Sequence, residues 1–272
     1  MMADVSNFDD RPIGVFDSGV GGLTVVSELA SRLPDESIIY LGDTARVPYG
    51  DKSPDTIIRY ALEDAAFLTR HNVKLIVAAC NTVSAVALAE LKKKVDVPVC
   101  GVIEAGAAAT AGLTGKIAVI GTPATVASGA YPLEISRVSP LLEVECTACP
   151  LLVPLAEEGI NAWRIMSGVF DIYIGKYKKN PPDALLLGCT HYPLFQKEFE
   201  RYFSGDVKII SSASACADFV SRLLNDKKIL RNSGVHAPER KFFVTDAPEK
   251  FVQSAGRFLG NTIDEAGLVV LE

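Results

Sequence analysis

The feature that most constrains this chain is a regular alternation of short apolar runs with helix-length amphipathic segments. "IGVFD" (13–17) precedes an apolar-periodic segment from Leu23 to Leu33, and "SIIYLGD" (37–43) leads into the loop "ARVPYGDKS". The next helix has Ser53 as its N-cap and Pro54 at its first position, with Ile58, Ala61, Leu62, Ala65 and Leu68 along one face. "KLIVAAC" (74–80) precedes a helix from about Thr82 to Lys94, and "VPVCGVI" (97–103) precedes an alanine-rich one. "KIAVIG", "LEVECTAC", "ALLLGC", "VKIIS" and "KFFVTD" continue the pattern. Strands that alternate with helices in this way predict an α/β fold of parallel sheets built from right-handed βαβ units.

The chain also repeats itself. "IGVFDSGVGGLT" (13–24) resembles "IAVIGTPATVAS" (117–128), and "LIVAACNTVSAV" (75–86) resembles "ALLLGCTHYPLF" (184–195). Two different strand-to-helix units recur in the same order at nearly the same offset, which points to a duplicated lobe. Duplication would set two equivalent strand ends face to face across a cleft, each bringing one cysteine, Cys80 and Cys189. In open α/β sheets the carboxyl ends of strands are where ligands bind.

Composition narrows the function. A net charge of -6 argues against a nucleic-acid partner, because phosphate binding needs a basic excess, and the lysines are scattered apart from Lys92-Lys93-Lys94. The acidic start "MMADVSNFDD" has no apolar core and is not a secretory signal, and runs such as "KLIVAAC" are too short to span a bilayer. A cytoplasmic protein without membrane attachment is expected. Six cysteines in 272 residues are too sparse for a disulfide scaffold and fit reduced thiols. The single C-x-x-C of Cys146 and Cys149 lacks the second pair a structural zinc site needs, and only His71, His191 and His236 could help it. No metal is expected.

Cys80 and Cys189 stand out by their flanks. "ACNT" and "GCTH" place Asn81, Thr82, Thr190 and His191 just beyond the thiols, where chain leaving a strand offers side chains and free N–H groups to a ligand. Helix N-termini starting there would favour thiolate and bind a carboxylate. A buried cysteine serving only as a small hydrophobe needs no such neighbours. "FDSGVGG" (16–22) fails the dinucleotide fingerprint, having Thr24 where a third glycine belongs, and it fails the Walker pattern as well. It is either a tight turn bringing Asp17 and Ser18 to the cleft or a glycine-rich turn with Asp17 or Ser18 as N-cap. "GDTARVPYG" (42–50) is either a surface loop or a segment shaped to present Tyr49 or the amides around Gly50. Glu157 and Glu158 of "PLAEEG" look like an exposed helical pair.

Taken together, "IGVFDSGVGGLTV", "YLGDTARVPYG", "AACNTVSA", "VPLAEEG" and "LLGCTHYPL" make the chain similar to the glutamate racemases of the aspartate/glutamate racemase superfamily, over nearly everything after residue 10. The related aspartate racemases usually lack the Cys-Thr-His-Tyr-Pro run. The resemblance implies two Rossmann-like lobes related by a pseudo-twofold axis with the active site between them. The first lobe would be 1–102 plus 214–272 and the second 103–213. It implies Cys80 and Cys189 as catalytic thiols assisted by Asp17, His191 and Glu157. Asp17, Ser18, Tyr49, Gly50, Asn81, Thr82, Thr190 and His191 would form the substrate pocket. A homodimer acting on glutamate, with no cofactor, is the expected assembly. Where many relatives carry an Asp-Ser-Gly-like run, this chain reads "SSASAC" (211–216). Members that need a cell-wall precursor as activator carry a longer N-terminal extension, so activation is not expected here.

Racemisation removes a proton from Cα and returns one to the opposite face, which two groups on opposite sides do without motion. One thiol must be thiolate and the other protonated in each direction. No lysine motif suggests a pyridoxal Schiff base, so hydrogen bonds from Ser18, Asn81, Thr82, Thr190 and backbone amides must stabilise the carbanion-like state. The resemblance assigns Cys80, with Asp17, to D-glutamate and Cys189, with His191, to L-glutamate, with Glu157 orienting His191 or the substrate ammonium. The product D-glutamate would feed peptidoglycan synthesis. A two-cysteine racemase of aspartate or another small amino acid, and a binding protein on the same fold, are the competing readings.

Overall fold

The structure, a computed structural model, describes residues 8–232 and 237–271, so His236 and the first seven residues lie outside the described part. Among the described residues ten strands form two sheets that are parallel throughout. The strands are β1 (Ile13–Asp17), β2 (Ile38–Gly42), β3 (Leu75–Ala78), β4 (Val99–Gly101) and β5 (Gly115–Gly121). They continue with β6 (Leu142–Ala148), β7 (Ala184–Gly188), β8 (Lys208–Ser211), β9 (Arg240–Val244) and β10 (Gly267–Leu268). One sheet runs β10-β9-β2-β1-β3-β4 and the other β6-β5-β7-β8. The order β2-β1-β3-β4 is matched position for position by β6-β5-β7-β8, which is the duplication seen in the sequence.

The central strands read as unbroken apolar runs because helices cover both of their faces. Side chains alternate across the first sheet, so Ile13, Val15, Tyr40 and Val77 enter one core while Phe16, Ile39, Leu41 and Ile76 enter the other. The second sheet divides in the same way, with Ile120, Leu185 and Leu187 on one face and Ile117, Val119 and Leu186 on the other. The chain enters the second sheet through the helix Val102–Ala108 and leaves it through the helix Ser212–Lys227, and these two helices pack on each other. Among the described residues no helix is long and apolar enough to cross a membrane.

Several local expectations change. The helix expected over Thr82–Lys94 is two, Asn81–Val86 and Leu88–Lys94, joined at Ala87, which stays right-handed but with a widened φ of -108° and a ψ of -11°. Ser53 does cap the helix Pro54–Arg70, its Oγ accepting from Thr56 N–H at 3.4 Å. The buried stripe of that helix, however, runs through Ile57 rather than Ile58 and includes Asp64. "SSASAC" makes its own cap: Ser211 Oγ accepts from Ser214 N–H at 3.3 Å, and Ser212 donates to the Leu187 carbonyl at 2.8 Å.

Candidate active site

β1 delivers Asp17 at its carboxyl end, where the carboxylate is 1% exposed and accepts from Gly19 N–H at 3.0 Å. Neither Asp17 nor Ser18 caps the following helix, Leu23–Arg32, whose N-cap is Gly22. The glycines serve close approach instead. A Cβ on Gly21 would lie 2.5 Å from His191 Cε1 and 2.5 Å from Thr190 Oγ1, so the turn is shaped to admit the 190–191 segment from the other sheet. Thr24 secures that segment by donating to the Thr190 carbonyl at 2.9 Å.

β3 ends before Cys80, which is the N-cap residue of the helix Asn81–Val86. Its thiol donates to Ser18 Oγ at 3.8 Å. Burial is the first cause, and the charge of Asp17 the second, that push the Cys80 thiol up to about 12, so it holds its proton at neutral pH. Asn81 accepts from the Tyr131 hydroxyl at 2.6 Å through Oδ1, while its Nδ2 is buried without a hydrogen-bond partner. Thr82 Oγ1 meets Thr122 Oγ1 at 3.1 Å.

β7 delivers Cys189, but no α-helix starts there. Tyr192 N–H bonds the Cys189 carbonyl and Leu194 N–H bonds the His191 carbonyl, the i→i+3 pattern of the 3-10 turn Tyr192–Phe195. The helix-terminus environment expected for both thiols therefore exists only at Cys80. Cys189 has a side-chain partner instead. His191 Nδ1 lies 3.8 Å from its Sγ, and His191 Nε2 lies 3.1 Å from Glu157 Oε1 at the end of the helix Leu152–Glu157. Burial alone would strip the imidazole of its proton. Cys189, Glu157 and Asp17 outweigh it and raise the His191 pKa to about 10. The imidazolium in turn lowers the Glu157 carboxyl, the hydrogen bond being the main cause. Burial raises the Asp17 carboxyl against the opposing pull of His191. The ring of Phe258 stands edge-on to the imidazole at 5.5 Å.

Ser18, Tyr49, Gly50, Cys80, Asn81, Thr82, Cys189, Thr190, His191 and Glu157 line one cavity of about 340 Å³. Asp17 does not line it but sits behind it, within 3.5 Å of Thr190 Oγ1. Tyr49 lines the cavity without presenting its hydroxyl, which donates to Asp43 and lies 3.1 Å from Asp64 Oδ2, both of them also paired with Arg46. The loop 43–51 is thus held from beneath, by a carboxylate on the helix Pro54–Arg70 that reading the sequence missed. The signal was an acid on that helix's apolar stripe. Thr122 and Pro123 were missed too, although Thr122 occupies in the second unit the place of Ser18 in the first. Cys146 and Cys149 pack into opposite faces of the second sheet and do not converge.

Two thiols from equivalent strand ends, facing one cavity with an imidazole–carboxylate pair beside one of them, are a layout for moving protons on and off a small molecule. Residues 18–220 match the family model for Asp/Glu/hydantoin racemases. The chain belongs to that family. Its relatives include the glutamate racemase of Geobacter metallireducens, 44% identical over 264 residues that cover 96% of this chain and 97% of the relative. Among solved structures it resembles the glutamate racemase of Francisella tularensis in complex with D-glutamate, with a TM-score of 0.89, 41% identity and coverage of 97% and 99% of the two chains. The glutamate racemase of Thermus thermophilus in complex with beta-chloro-D-alanine gives 0.85 and 42%, covering 97% and 98%. The α/β fold with its two parallel sheets is consistent with those glutamate racemase structures.

Proposed function

We propose that this protein interconverts L- and D-glutamate by a two-base mechanism in which Cys80 and Cys189 work from opposite faces of Cα, without a cofactor. The observation that carries the reading is the placement of both thiols on one 340 Å³ cavity, each after an equivalent strand of a matched pair of sheets. The matched glutamate racemases of Geobacter metallireducens and Francisella tularensis support the choice of glutamate. The halves would divide within the helices Val102–Ala108 and Ser212–Lys227.

In the L-to-D direction the Cys189 sulfur takes the Cα proton while His191, held by Glu157, supplies positive charge 3.8 Å from it. Cys80, still protonated, delivers its proton to the other face. The D-to-L direction reverses both transfers, with Asp17 behind Cys80. Negative charge building on the α-carboxylate meets donors from Ser18, Thr82, Thr190, the Gly50 amide and the unpartnered Asn81 Nδ2. The physiological setting proposed with it is a cytoplasmic homodimer that supplies D-glutamate for peptidoglycan.

The test is proton NMR of each glutamate enantiomer incubated with the protein in D2O and no added cofactor. Loss of the α-proton signal with formation of the opposite enantiomer is expected, and formation of the opposite enantiomer is expected to vanish in Cys80→Ala and Cys189→Ala, where exchange without inversion would mark the one thiol left working. Retained turnover in either variant would sink the two-base scheme, and no exchange in the unaltered protein would sink the choice of substrate.

A further inference from the structure

One buried side chain outside the mechanism touches the chain on both sides of the site. Tyr131 lies on the helix Ala130–Val138, whose covering sheet is the four-stranded one, and it is 1% exposed. Its hydroxyl donates at 2.6 Å to Asn81 Oδ1, on the residue directly after Cys80. Its ring packs where Gly188, the residue directly before Cys189, has no side chain: a Cβ there would fall 2.8 Å from Tyr131 Cε2. The opposite ring edge meets Gly106 in the same manner, at 3.2 Å from Tyr131 Cε1. One phenol therefore spans the peptides that carry the two thiols.

Its hydrogen bond also decides what Asn81 offers. A carboxamide has one acceptor end and one donor end, and the two exchange by a half-turn. A phenol raised by burial above its ordinary pKa keeps its single proton and gives it to Oδ1. Nδ2 is left as the end with no partner, on a residue that is 2% exposed and lines the cavity. A buried donor without a partner is costly unless a ligand completes it.

We propose that Tyr131 is a positioning residue for the racemase: its hydroxyl turns the Asn81 carboxamide donor toward the substrate carboxylate, and its ring sets the spacing between the Asn81 and Gly188 peptides. The inference rests on the function proposed above, since it takes a carboxylate as the group that Nδ2 receives. The hydroxyl and the ring have separable consequences. Tyr131→Phe keeps the ring and frees Asn81 to flip, so KM for both enantiomers rises about tenfold, the worth of one hydrogen bond, while kcat stays within about threefold. Tyr131→Leu also loses the spacer and lowers kcat.

A purely structural tyrosine would weaken the fold without caring what residue 81 is. The decisive experiment is therefore a double-variant cycle on KM with Asn81→Ala, run beside the unaltered protein and followed by the D2O exchange assay. If Tyr131 acts through Asn81, Tyr131→Phe adds no further KM increase once Asn81→Ala is in place. Unchanged KM in Tyr131→Phe, or full additivity with Asn81→Ala, overturns this inference alone. Absence of exchange in the unaltered protein overturns the glutamate reading, and this inference falls with it.

Discussion

Gly21→Ala isolates the clearance between the two halves of the site. The new methyl would stand 2.5 Å from His191 Cε1, 2.5 Å from Thr190 Oγ1 and 2.7 Å from His191 Nδ1. Carbon contacts settle at about 3.5–4.0 Å, so something must give by about 1 Å. Residue 21 is not among the glycines with positive φ, so its backbone tolerates alanine and the strain falls on the neighbours. Those neighbours are not free to yield, because the imidazole is held by Glu157 at 3.1 Å and by Phe258 edge-on, and Thr190 by Thr24. The 190–191 segment must shift and carry Nδ1 away from the Cys189 sulfur. Overpacking of this kind costs about 1–3 kcal/mol, which a protein of this size survives folded. Misplacement by about 1 Å costs a reaction about a hundredfold, so kcat in both directions is expected to fall by that order. Gly19→Ala is the control, since its methyl would meet only Val47 Cγ2 at 3.6 Å, an ordinary contact. Initial rates by circular dichroism of glutamate, with thermal melts of both variants, make the measurement. Turnover of Gly21→Ala within threefold of the parent, or equal damage from Gly19→Ala, would show that clearance for His191 is not what the glycines provide.

Three further outcomes follow from the same contacts. Tyr49→Phe removes the hydroxyl shared by two buried carboxylates, Asp43 and Asp64, so urea unfolding should show a loss of about 1–3 kcal/mol together with a raised KM as the loop 43–51 loosens; unchanged stability would contradict it. The His191 pKa is raised by the fold from 6.5 to about 10, so the stabilisation it brings is complete below pH 6.5 and drains away as pH rises through about 10. Unfolding free energies of the parent and of His191→Asn should therefore converge between those limits, and a gap that widens with pH would refute the assignment. Lys74 is buried against Glu36 at 2.7 Å and donates to the carbonyls of Asp9 and Ile229 at 2.8 Å each. Lys74→Met alone should cost about 3–5 kcal/mol in a denaturant titration, and adding Glu36→Leu should recover much of it.

What the sequence disclosed and what it hid follow the range of the interactions. Central parallel strands covered on both faces must be apolar along their length, so β1, β2, β3 and β7 stand out as runs, whereas β6, β8 and β9 are partly exposed and show mainly through the alternation; β10 has two exposed residues and leaves no such trace. Both thiols were legible because their strand, their polar followers and their repetition are all local. The environments of the thiols were not. A helix after Cys189 was a fair expectation, yet Pro193 has no N–H to give and the turn stays 3-10. Asp64 reaches Tyr49 across 15 positions and a loop, and Tyr131 reaches Asn81 across 50. A tyrosine on an amphipathic helix looks like core, and only the fold reveals where its hydroxyl ends. Thr122 lies between these cases, since the repeat aligns it with Ser18 but nothing local marks it.

The matched strand order might suggest that the two thiols are equivalent, yet their surroundings are opposite in charge. Cys80 caps a helix but is buried, with Asp17 close enough that its charge helps to raise the thiol. Cys189 leaves a 3-10 turn and faces an imidazolium anchored on Glu157. On the proposed mechanism, the resting protein has its proton on Cys80 and positive charge beside Cys189, the combination that accepts L-glutamate. One turnover exchanges the protons and leaves a thiolate in the half that disfavours it. The raised pKa of Asp17 answers that difficulty. When Cys80 gives up its proton to the substrate, burial pulls the neighbouring Asp17 carboxyl toward its neutral form, the direction that limits the negative charge gathered beside the new thiolate. On that mechanism Asp17, which does not line the cavity, acts from behind it through the charge it places near Cys80 and not by contact with the substrate.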